Sequence, residues 1–202
     1  IMPTIAISGQ PSSGNTFVAK IISKKLGVPY FSTGQLFKDI GKGTYKSQHY
    51  YPIFHQLCLE KGISIPDFSN DNDSHAAMNI WDTNLGKSKI FHETIDELPK
   101  RLAEIGNIVI EGKLAVHMIP NAGLKIWLKA SLEKRAERIN FRDNLGVENA
   151  RRVLMAKEKK EREEWKRIYG FDYFNQEAEA DLVIDTSNLS AEEVAERILA
   201  NL

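Results

Sequence analysis

Five short apolar runs, each followed by a segment with helical spacing, dominate the pattern of hydrophobic and polar positions along the chain. The runs occupy residues 4–8, 28–31, 108–110, 124–128 and 182–184. Apolar runs that lack in-and-out alternation indicate strands buried on both faces, as in a parallel sheet covered by helices. The pattern therefore predicts an α/β fold, a doubly wound domain built on a parallel five-stranded sheet.

The helices near the two ends of the chain have clear boundary signals. The first has an apolar stripe with helical spacing at Val18, Ile21, Ile22 and Leu26. Gly27 stands where that helix is expected to end, because glycine adopts the left-handed conformation of a helix C-terminus. Ser190 and Glu193 have the spacing of a capping box ahead of the last apolar stripe. A helix is therefore predicted to close the domain.

Two segments depart from the alternation of strands and helices. Residues 41–100 carry no strand signal and are predicted to form a mostly helical insert between the second and third strands. Residues 147–169 have the pattern of one long helix, and residues 157–164 within it form a dense run of charges. We expect one domain over residues 1–202, with a lid region at 142–170.

The strongest chemical signal lies between the first predicted strand and the first predicted helix. The run is Gly9, Gln10, Pro11, Ser12, Ser13, Gly14, Asn15 and Thr16. It has the spacing of G-x-x-x-x-G-K-[ST], with Asn15 at the lysine position. Backbone N–H groups of such a loop bind phosphate oxygens, and the hydroxyl of Thr16 would bind Mg²⁺. The alternative is a plain Gly/Ser turn that joins strand to helix.

A carboxylate and a set of arginines add to this signal. Glu111 ends the third predicted strand, where an acid suits the hydration shell of Mg²⁺ in a phosphate-loop protein, although a solvated strand end is the simpler alternative. Arg135, Arg138 and Arg142 share one helix face, and Arg162 lies on the long helix. Guanidinium groups stabilise a transferring phosphoryl group, but each also has glutamates nearby on its helix with which it can pair.

Composition narrows the functional classes. The 202 residues include 27 basic and 27 acidic side chains, so the formal net charge is zero and no global excess of positive charge favours nucleic acid or a membrane surface. Cys58 is the single cysteine, and the five histidines lack ligand spacing. No apolar stretch approaches the about 18–20 residues that span a bilayer. We expect a monomeric, cytoplasmic protein without a membrane partner or a stable nucleic-acid partner.

The sequence resembles the nucleoside monophosphate kinases, and most closely the archaeal-type cytidylate kinases. The runs that carry the resemblance are 5–40 with its loop and the following Phe31–Phe37, then 111–115, 124–131 and 181–187. Residues 41–100 match poorly. The resemblance implies a P-loop NTPase-type fold, ATP and Mg²⁺ as cofactors, small-molecule nucleotides as partners, and an acceptor-binding role for the insert.

The resemblance also implies roles for individual positions. Residues 9–16, with Phe17, would hold the phosphates of ATP, and the adenine would lie beside Asp185, Thr186 and Ser187. The residues implied for the acceptor monophosphate are Thr33, Gly34, Lys38, Gly112 and Lys113. Arg135 or Arg138 and Arg162 would act as lid arginines, and Thr16 and Glu111 would serve the metal. The residues that match Lys38 and Lys113 are usually arginines in the family, so both positions keep their charge but lose the bidentate fork.

Three functional hypotheses follow. The first is ATP-dependent transfer of a phosphoryl group to a nucleoside monophosphate, with CMP or dCMP favoured by resemblance. The second is a nucleotide-binding module with weak or no kinase activity, because Asn15 removes the lysine that normally reaches the β- and γ-phosphates. The third is a kinase for a different small acceptor, suggested by the poor match over residues 41–100.

Overall fold

Five parallel strands form one sheet at the centre of the molecule. The computed structural model describes residues 3–66, 80 and 83–202. The strands are β1 (Ile5–Gly9), β2 (Tyr30–Ser32), β3 (Val109–Glu111), β4 (Leu124–Lys129) and β5 (Leu182–Asp185). Their order in the sheet is β2-β3-β1-β4-β5, and every pairing is parallel. The predicted fold class and all five predicted strands are confirmed.

The largest boundary difference lies at β2, which begins at Tyr30 rather than at residue 28. The N–H of Val28 donates to the carbonyl of Ser23 at 3.1 Å, so Val28 closes the preceding helix. Pro29 then reaches the sheet, where its carbonyl accepts from the N–H of Val109. An apolar run therefore included one residue that belongs to a helix terminus.

Eight α-helices occur among the described residues. They are α1 (Asn15–Leu26), α2 (Thr33–Gly41), α3 (Tyr51–Glu60), α4 (Lys89–Ile105), α5 (Ala115–Met118), α6 (Leu132–Asp143), α7 (Val147–Tyr169) and α8 (Ala191–Leu199). Short 3₁₀ helices cover Thr44–Ser47 and Tyr173–Ala178. Gly27, with φ of 65°, ends α1, and Ser190 and Glu193 form the predicted capping box. The long helix is continuous, as its pattern predicted.

The core has two layers, one on each face of the sheet. Ile5 and Ile7 of β1 pack on one side in a cluster that includes residues of α1 and α8, whereas Ala6 packs on the other side in a cluster with residues of α2, α3 and α4. All five residues of β1 are buried. This burial on both faces explains why the first three residues of β1 are all apolar, without in-and-out alternation.

The described part of the segment predicted as an insert is mostly helical, with turns and coil at 61–66 and 83–88. It contains the 3₁₀ helix Thr44–Ser47, all of α3 and most of α4. The polar run at 69–75 lies outside the described residues, and the proposed bounds at 41–100 and 142–170 stay predictions. Within the described part of the chain, no helix combines the length and the apolar character needed to cross a bilayer.

The topology brings the loops of interest to one edge of the sheet. Because all five strands are parallel, Gly9, Ser32, Glu111, Lys129 and Asp185 end at the same edge. β1 lies between β3 and β4, so the order of the strands along the chain reverses at β1. In open α/β sheets, ligands bind in the crevice beyond the carboxyl ends of the strands at such a point.

Candidate active site

The loop after β1 lies tightly against β4. A Cβ atom at Gly9 would lie 2.3 Å from the carbonyl oxygen of Leu128, so only glycine allows this close approach. The N–H of Gln10 donates to the same carbonyl at 3.0 Å. Gly14, with φ of 103°, is the N-cap of α1 and has no side chain to accept from the first N–H groups of the helix. These donors suit an anion.

Thr186 and Arg138 hold the loop in place. The buried hydroxyl of Thr186 donates to the carbonyl of Ser13 at 2.8 Å. Arg138 donates to the carbonyl of Ser12 at 3.1 Å, and also to the hydroxyl and the carbonyl of Thr186 at 3.0 and 2.6 Å. Burial lowers the pKa of Arg138, and the nearby carboxylate of Asp185 opposes this effect. The strand end after β5 is thereby tied to the phosphate loop.

Arg135 joins the same loop to α7. Its side chain is buried, and it donates to the carbonyls of Ala130 and Pro11 at 3.1 and 3.4 Å. It also forms an ion pair with Glu158 of α7 at 2.5 Å. Arg162 pairs instead with Asp172, away from the residues around the loop. The roles given to these arginines by resemblance stay predictions.

A cleft of about 1150 Å³ opens above the loop. The sequence-predicted residues that line it are residues 9–17, Glu111, Lys113, Arg138, Arg142 and Thr186. Those that do not line it are Thr33, Gly34, Lys38, Gly112, Arg135, Arg162, Asp185 and Ser187. The cleft therefore unites the candidate phosphate loop, the candidate metal residues and three candidate cations.

The two candidate metal residues lie near one tyrosine hydroxyl. Tyr30 donates to Oε2 of Glu111 at 3.0 Å. Burial raises the pKa of Tyr30, as does the negative charge of Glu111, and the hydroxyls of Ser32 and Thr16 act in the opposite direction. Thr16 and Glu111 thus offer oxygen donors on one side of the cleft. This set suits Mg²⁺, which binds few protein oxygens and completes its shell with water and phosphate.

The candidate acceptor residues fall into two groups. Thr33 and Gly34 begin α2, whose N-cap Ser32 accepts from the N–H of Gln35 at 3.2 Å. Gly112 lies against Thr33, since a Cβ there would be 3.2 Å from the threonine hydroxyl oxygen. Lys38 lies on the last turn of α2, exposed and outside the cleft.

Lys113 is held by the long helix α7. Its ammonium lies 2.5 Å from Oε1 of Glu161, whose side chain is 15% exposed. The ammonium also lies 5.9 Å from the centre of the Trp165 ring. Burial lowers the pKa of Lys113, whereas the carboxylate of Glu161 acts in the opposite direction.

Sequence reasoning missed several residues that line the cleft. Phe141 of α6 is 94% exposed and lies at the cleft. Lys157 and Val153 of α7 line it as well. The sequence signal for the two residues of α7 was helical spacing, because positions 153, 157 and 161 follow one another at i, i+4 and i+8 on one helix face. The surrounding charge run concealed that face.

The fold and the loop define a protein of the P-loop kinase class. The profile of the cytidylate kinase-like family matches residues 4–188. The chain therefore belongs to the cytidylate kinase-like family. A cytidylate kinase from Methanocaldococcus jannaschii is 32% identical over 194 residues, which cover 94% of this chain and 92% of that protein. A cytidylate kinase from Pyrobaculum islandicum is 33% identical over 190 residues, covering 94% and 86%. The predicted resemblance is confirmed.

Solved structures support the fold assignment. Shikimate kinase from Bacteroides thetaiotaomicron matches with a TM-score of 0.54 at 14% identity, and the match covers 100% of both chains. An uncharacterised protein from Eubacterium ventriosum matches with a TM-score of 0.64 at 14% identity, covering 100% of this chain and 98% of that one. At such identity these likenesses concern the fold alone.

Proposed function

We propose that this protein transfers the γ-phosphoryl group of ATP to a nucleoside monophosphate, with CMP or dCMP as the acceptor. The observation that carries the proposal is the cleft, where the phosphate loop, Glu111, Lys113 and Arg138 meet. The relatives named as cytidylate kinases support the choice of acceptor, since they match over almost the whole chain. Electrostatic positioning of phosphates is what such a reaction requires of a protein.

In the proposed reaction, a phosphate oxygen of the acceptor attacks the γ-phosphorus in line. The bond between that phosphorus and the β–γ bridging oxygen breaks, and ADP and the nucleoside diphosphate are formed. The loop N–H groups at the start of α1 would hold the ATP phosphates. Thr16 and Glu111 would serve Mg²⁺, which supplies charge neutralisation at the phosphates.

Lys113 is the proposed contact of the acceptor phosphate. It follows the end of β3 by two residues, pairs with Glu161 and lines the cleft. The acceptor phosphate would compete with Glu161 for this ammonium. A single ammonium cannot form the two parallel hydrogen bonds of an arginine, so we expect a weaker hold on the acceptor than a guanidinium would give.

A second candidate function is nucleotide binding without efficient transfer. Asn15 supports it, because its side-chain oxygen accepts from the hydroxyl of Ser13 at 3.1 Å and the side chain carries no charge. Loss of a single stabilising donor costs roughly 10²–10³ in rate. On this proposal the protein binds ATP but forms little nucleoside diphosphate.

Turnover separates the two candidates. We would measure ADP formation with ATP, Mg²⁺ and each of CMP, dCMP, UMP, AMP and GMP, together with ATP affinity by calorimetry. Preferred turnover of CMP or dCMP supports the kinase proposal. ATP binding without turnover of any acceptor contradicts it and supports the second candidate.

A matched pair of lysines tests the acceptor contact. Lys113 and Lys129 both follow or end a strand, both are partly exposed, and each pairs with a glutamate at 2.5 Å. Only Lys113 of this pair lines the cleft. Lys113→Met should raise the KM for the monophosphate about 10-fold or more, whereas Lys129→Met should stay near wild type. Equal effects of the two substitutions would contradict the assignment.

A further inference from the structure

The carboxylate of Glu111 lines the cleft without a positively charged partner among the residues that the structure describes. Within that part of the chain its one hydrogen-bond donor is the phenol of Tyr30, which lies 3.0 Å from Oε2, and Oε1 accepts from none. Charged side chains that are partly buried are usually paired or bind a metal ion. The free oxygen of Glu111 is therefore available to a cation, and Tyr30 is the group that holds the other oxygen.

The register of the sheet explains how Tyr30 reaches this carboxylate. Tyr30 of β2 lies opposite Val109 of β3, and Ser32 lies opposite Glu111. Side chains two positions apart on a strand point to the same face, so Val109 and Glu111 share a face. Tyr30 packs in the cluster that contains Val109, on that same face. Its hydroxyl therefore reaches diagonally along β3 to a residue about 7 Å further towards the carboxyl edge of the sheet, a span that only a long side chain covers.

Helix α1 lies over the same tyrosine. The ammonium of Lys20 is 5.9 Å from the centre of the Tyr30 ring. Thr16 precedes Lys20 by four positions, so the two side chains share one face of α1. Burial raises the pKa of Tyr30 most strongly, and a hydrogen bond with the Thr16 hydroxyl is among the weaker effects that oppose it. The phenol thus lies near both candidate metal residues, Thr16 and Glu111.

We propose that Tyr30 is a positioning residue of the Mg²⁺ site, whose hydroxyl fixes the orientation of the Glu111 carboxylate beside Thr16. The phenol acts through Glu111 and needs no contact of its own with the cation or the phosphates. A metal ligand that a neighbouring hydrogen bond already orients loses less rotamer freedom when the cation binds, so the affinity for the cation is higher. This inference rests on the proposed function, because it concerns the cation of that same cleft.

Tyr30→Phe tests the inference, since it removes the hydroxyl and keeps the ring. We would measure ATP affinity by calorimetry in saturating Mg²⁺ and again in EDTA. The ratio of the two affinities reports what the cation adds to ATP binding. Tyr30→Phe should lower this ratio about 3- to 10-fold, as loss of one hydrogen bond does, and should leave the affinity in EDTA within about twofold of wild type. A role in packing alone would weaken both affinities equally.

Tyr50→Phe is the matched control. The hydroxyl of Tyr50 also donates to a carboxylate, Oδ2 of Asp39 at 2.8 Å, but neither residue lines the cleft. This variant should keep the affinity ratio within about twofold of wild type. Urea unfolding midpoints of both variants identify any loss that comes from the fold.

A double substitution shows whether Tyr30 acts through Glu111. Glu111→Gln should lower the affinity ratio on its own, because it removes the charge that attracts the cation. Tyr30→Phe should then lower the ratio by less than twofold in the Glu111→Gln background, since the oriented carboxylate is already lost. The same 3- to 10-fold loss in both backgrounds would show that the phenol acts independently of Glu111, which overturns the inference.

The remaining outcomes separate this inference from the proposed function. A wild-type affinity ratio in Tyr30→Phe overturns the inference, and so does equal ATP affinity of wild type in Mg²⁺ and in EDTA. Wild type that binds ATP without turning over any monophosphate contradicts the proposed function. The calorimetric ratios still decide the role of Tyr30 in that case, because they need no turnover.

Discussion

Replacement of Thr186 by valine tests how the phosphate loop is held. Thr186 is 2% exposed, and its hydroxyl donates to the carbonyl of Ser13 at 2.8 Å while it accepts from Arg138 at 3.0 Å. Valine has nearly the same shape but neither donates nor accepts. The substitution therefore removes two hydrogen bonds and leaves the packing almost unchanged.

The cost follows from what is left without a partner. Arg138 keeps its bonds to the carbonyls of Ser12 and Thr186, so its loss is small. The carbonyl of Ser13 loses its donor in a buried residue that is 1% exposed. A buried acceptor without a partner costs about 1–3 kcal/mol. We expect the free energy of unfolding to fall by that amount, or ATP affinity to fall where the loop moves to recover the bond.

Urea unfolding measures the loss in the free energy of unfolding, and calorimetry measures the loss in ATP affinity. The midpoint should fall without a change in the slope, which reports the surface exposed on unfolding. Thr186→Ser is the control, because it keeps the hydroxyl and loses one methyl group, at about 1 kcal/mol. If Thr186→Val matched wild type in both stability and ATP affinity, Thr186 would not brace the loop.

Three other predictions concern separate parts of the molecule. Gly9→Ala should lower the free energy of unfolding by about 1–3 kcal/mol and weaken ATP binding, because its Cβ would meet the main-chain oxygen of Leu128 at 2.3 Å. Urea titration measures this loss, with Gly34→Ala as the control, since the nearest atom to a Cβ there is 3.8 Å away. Equal stability of the two variants would contradict the prediction. Burial raises the pKa of Cys58 to about 11, so a thiol reagent at pH 8 should label the native protein only as fast as it unfolds; rapid labelling without denaturant would refute the burial. Burial raises the pKa of Asp172, but the hydrogen bond from Arg162 outweighs this effect and holds the pKa below its usual range. The ionised carboxylate should therefore stabilise the fold above about pH 4, and this stabilisation should fade as the pH falls through the lowered pKa. Asp172→Asn should reduce the loss of stability in acid unfolding curves, and a curve identical to that of wild type would contradict a stabilising role of the Asp172 carboxylate.

The sheet and the phosphate loop were predictable because both depend on local sequence. Strands buried on two faces are mostly apolar, and all five positions of β1 are buried, with Ser8 as its one polar side chain. Gly9 and Gly14 are required by a close approach to β4 and by a positive φ. The positive φ of Gly14 is a local constraint that the spacing records, whereas the approach of Gly9 to Leu128 becomes visible only in the fold.

The partners of the charged side chains were not predictable in the same way. Helical spacing placed Arg135 and Arg138 on one face, but it gave no indication that they donate to carbonyls of Pro11 and Ser12, more than a hundred positions away. The charge run of α7 concealed Glu161 for the same reason. Its i, i+4 neighbours suggest a solvated helix face, whereas its short ion pair is with Lys113 of another element.

Lys38 shows how far the functional residues of a family can be assigned to positions of a single chain. The motif that surrounds it places Thr33 beside Gly112 in the fold, whereas Lys38 lies on the last turn of α2, and none of the three lines the cleft. Its role as an acceptor contact stays a prediction. A motif fixes the start of a helix, but the reach of a side chain near the end of that helix depends on packing that the motif does not encode.

The charges around the cleft are linked through α7. Arg135 contacts both the carbonyl of Pro11 in the loop and Glu158 of α7, and Glu161, one turn further on, holds Lys113. The position of α7 therefore determines where Glu158 and Glu161 hold these two basic side chains relative to the loop. Phosphate binding and the docking of α7 should therefore stabilise each other, since each favours the same arrangement.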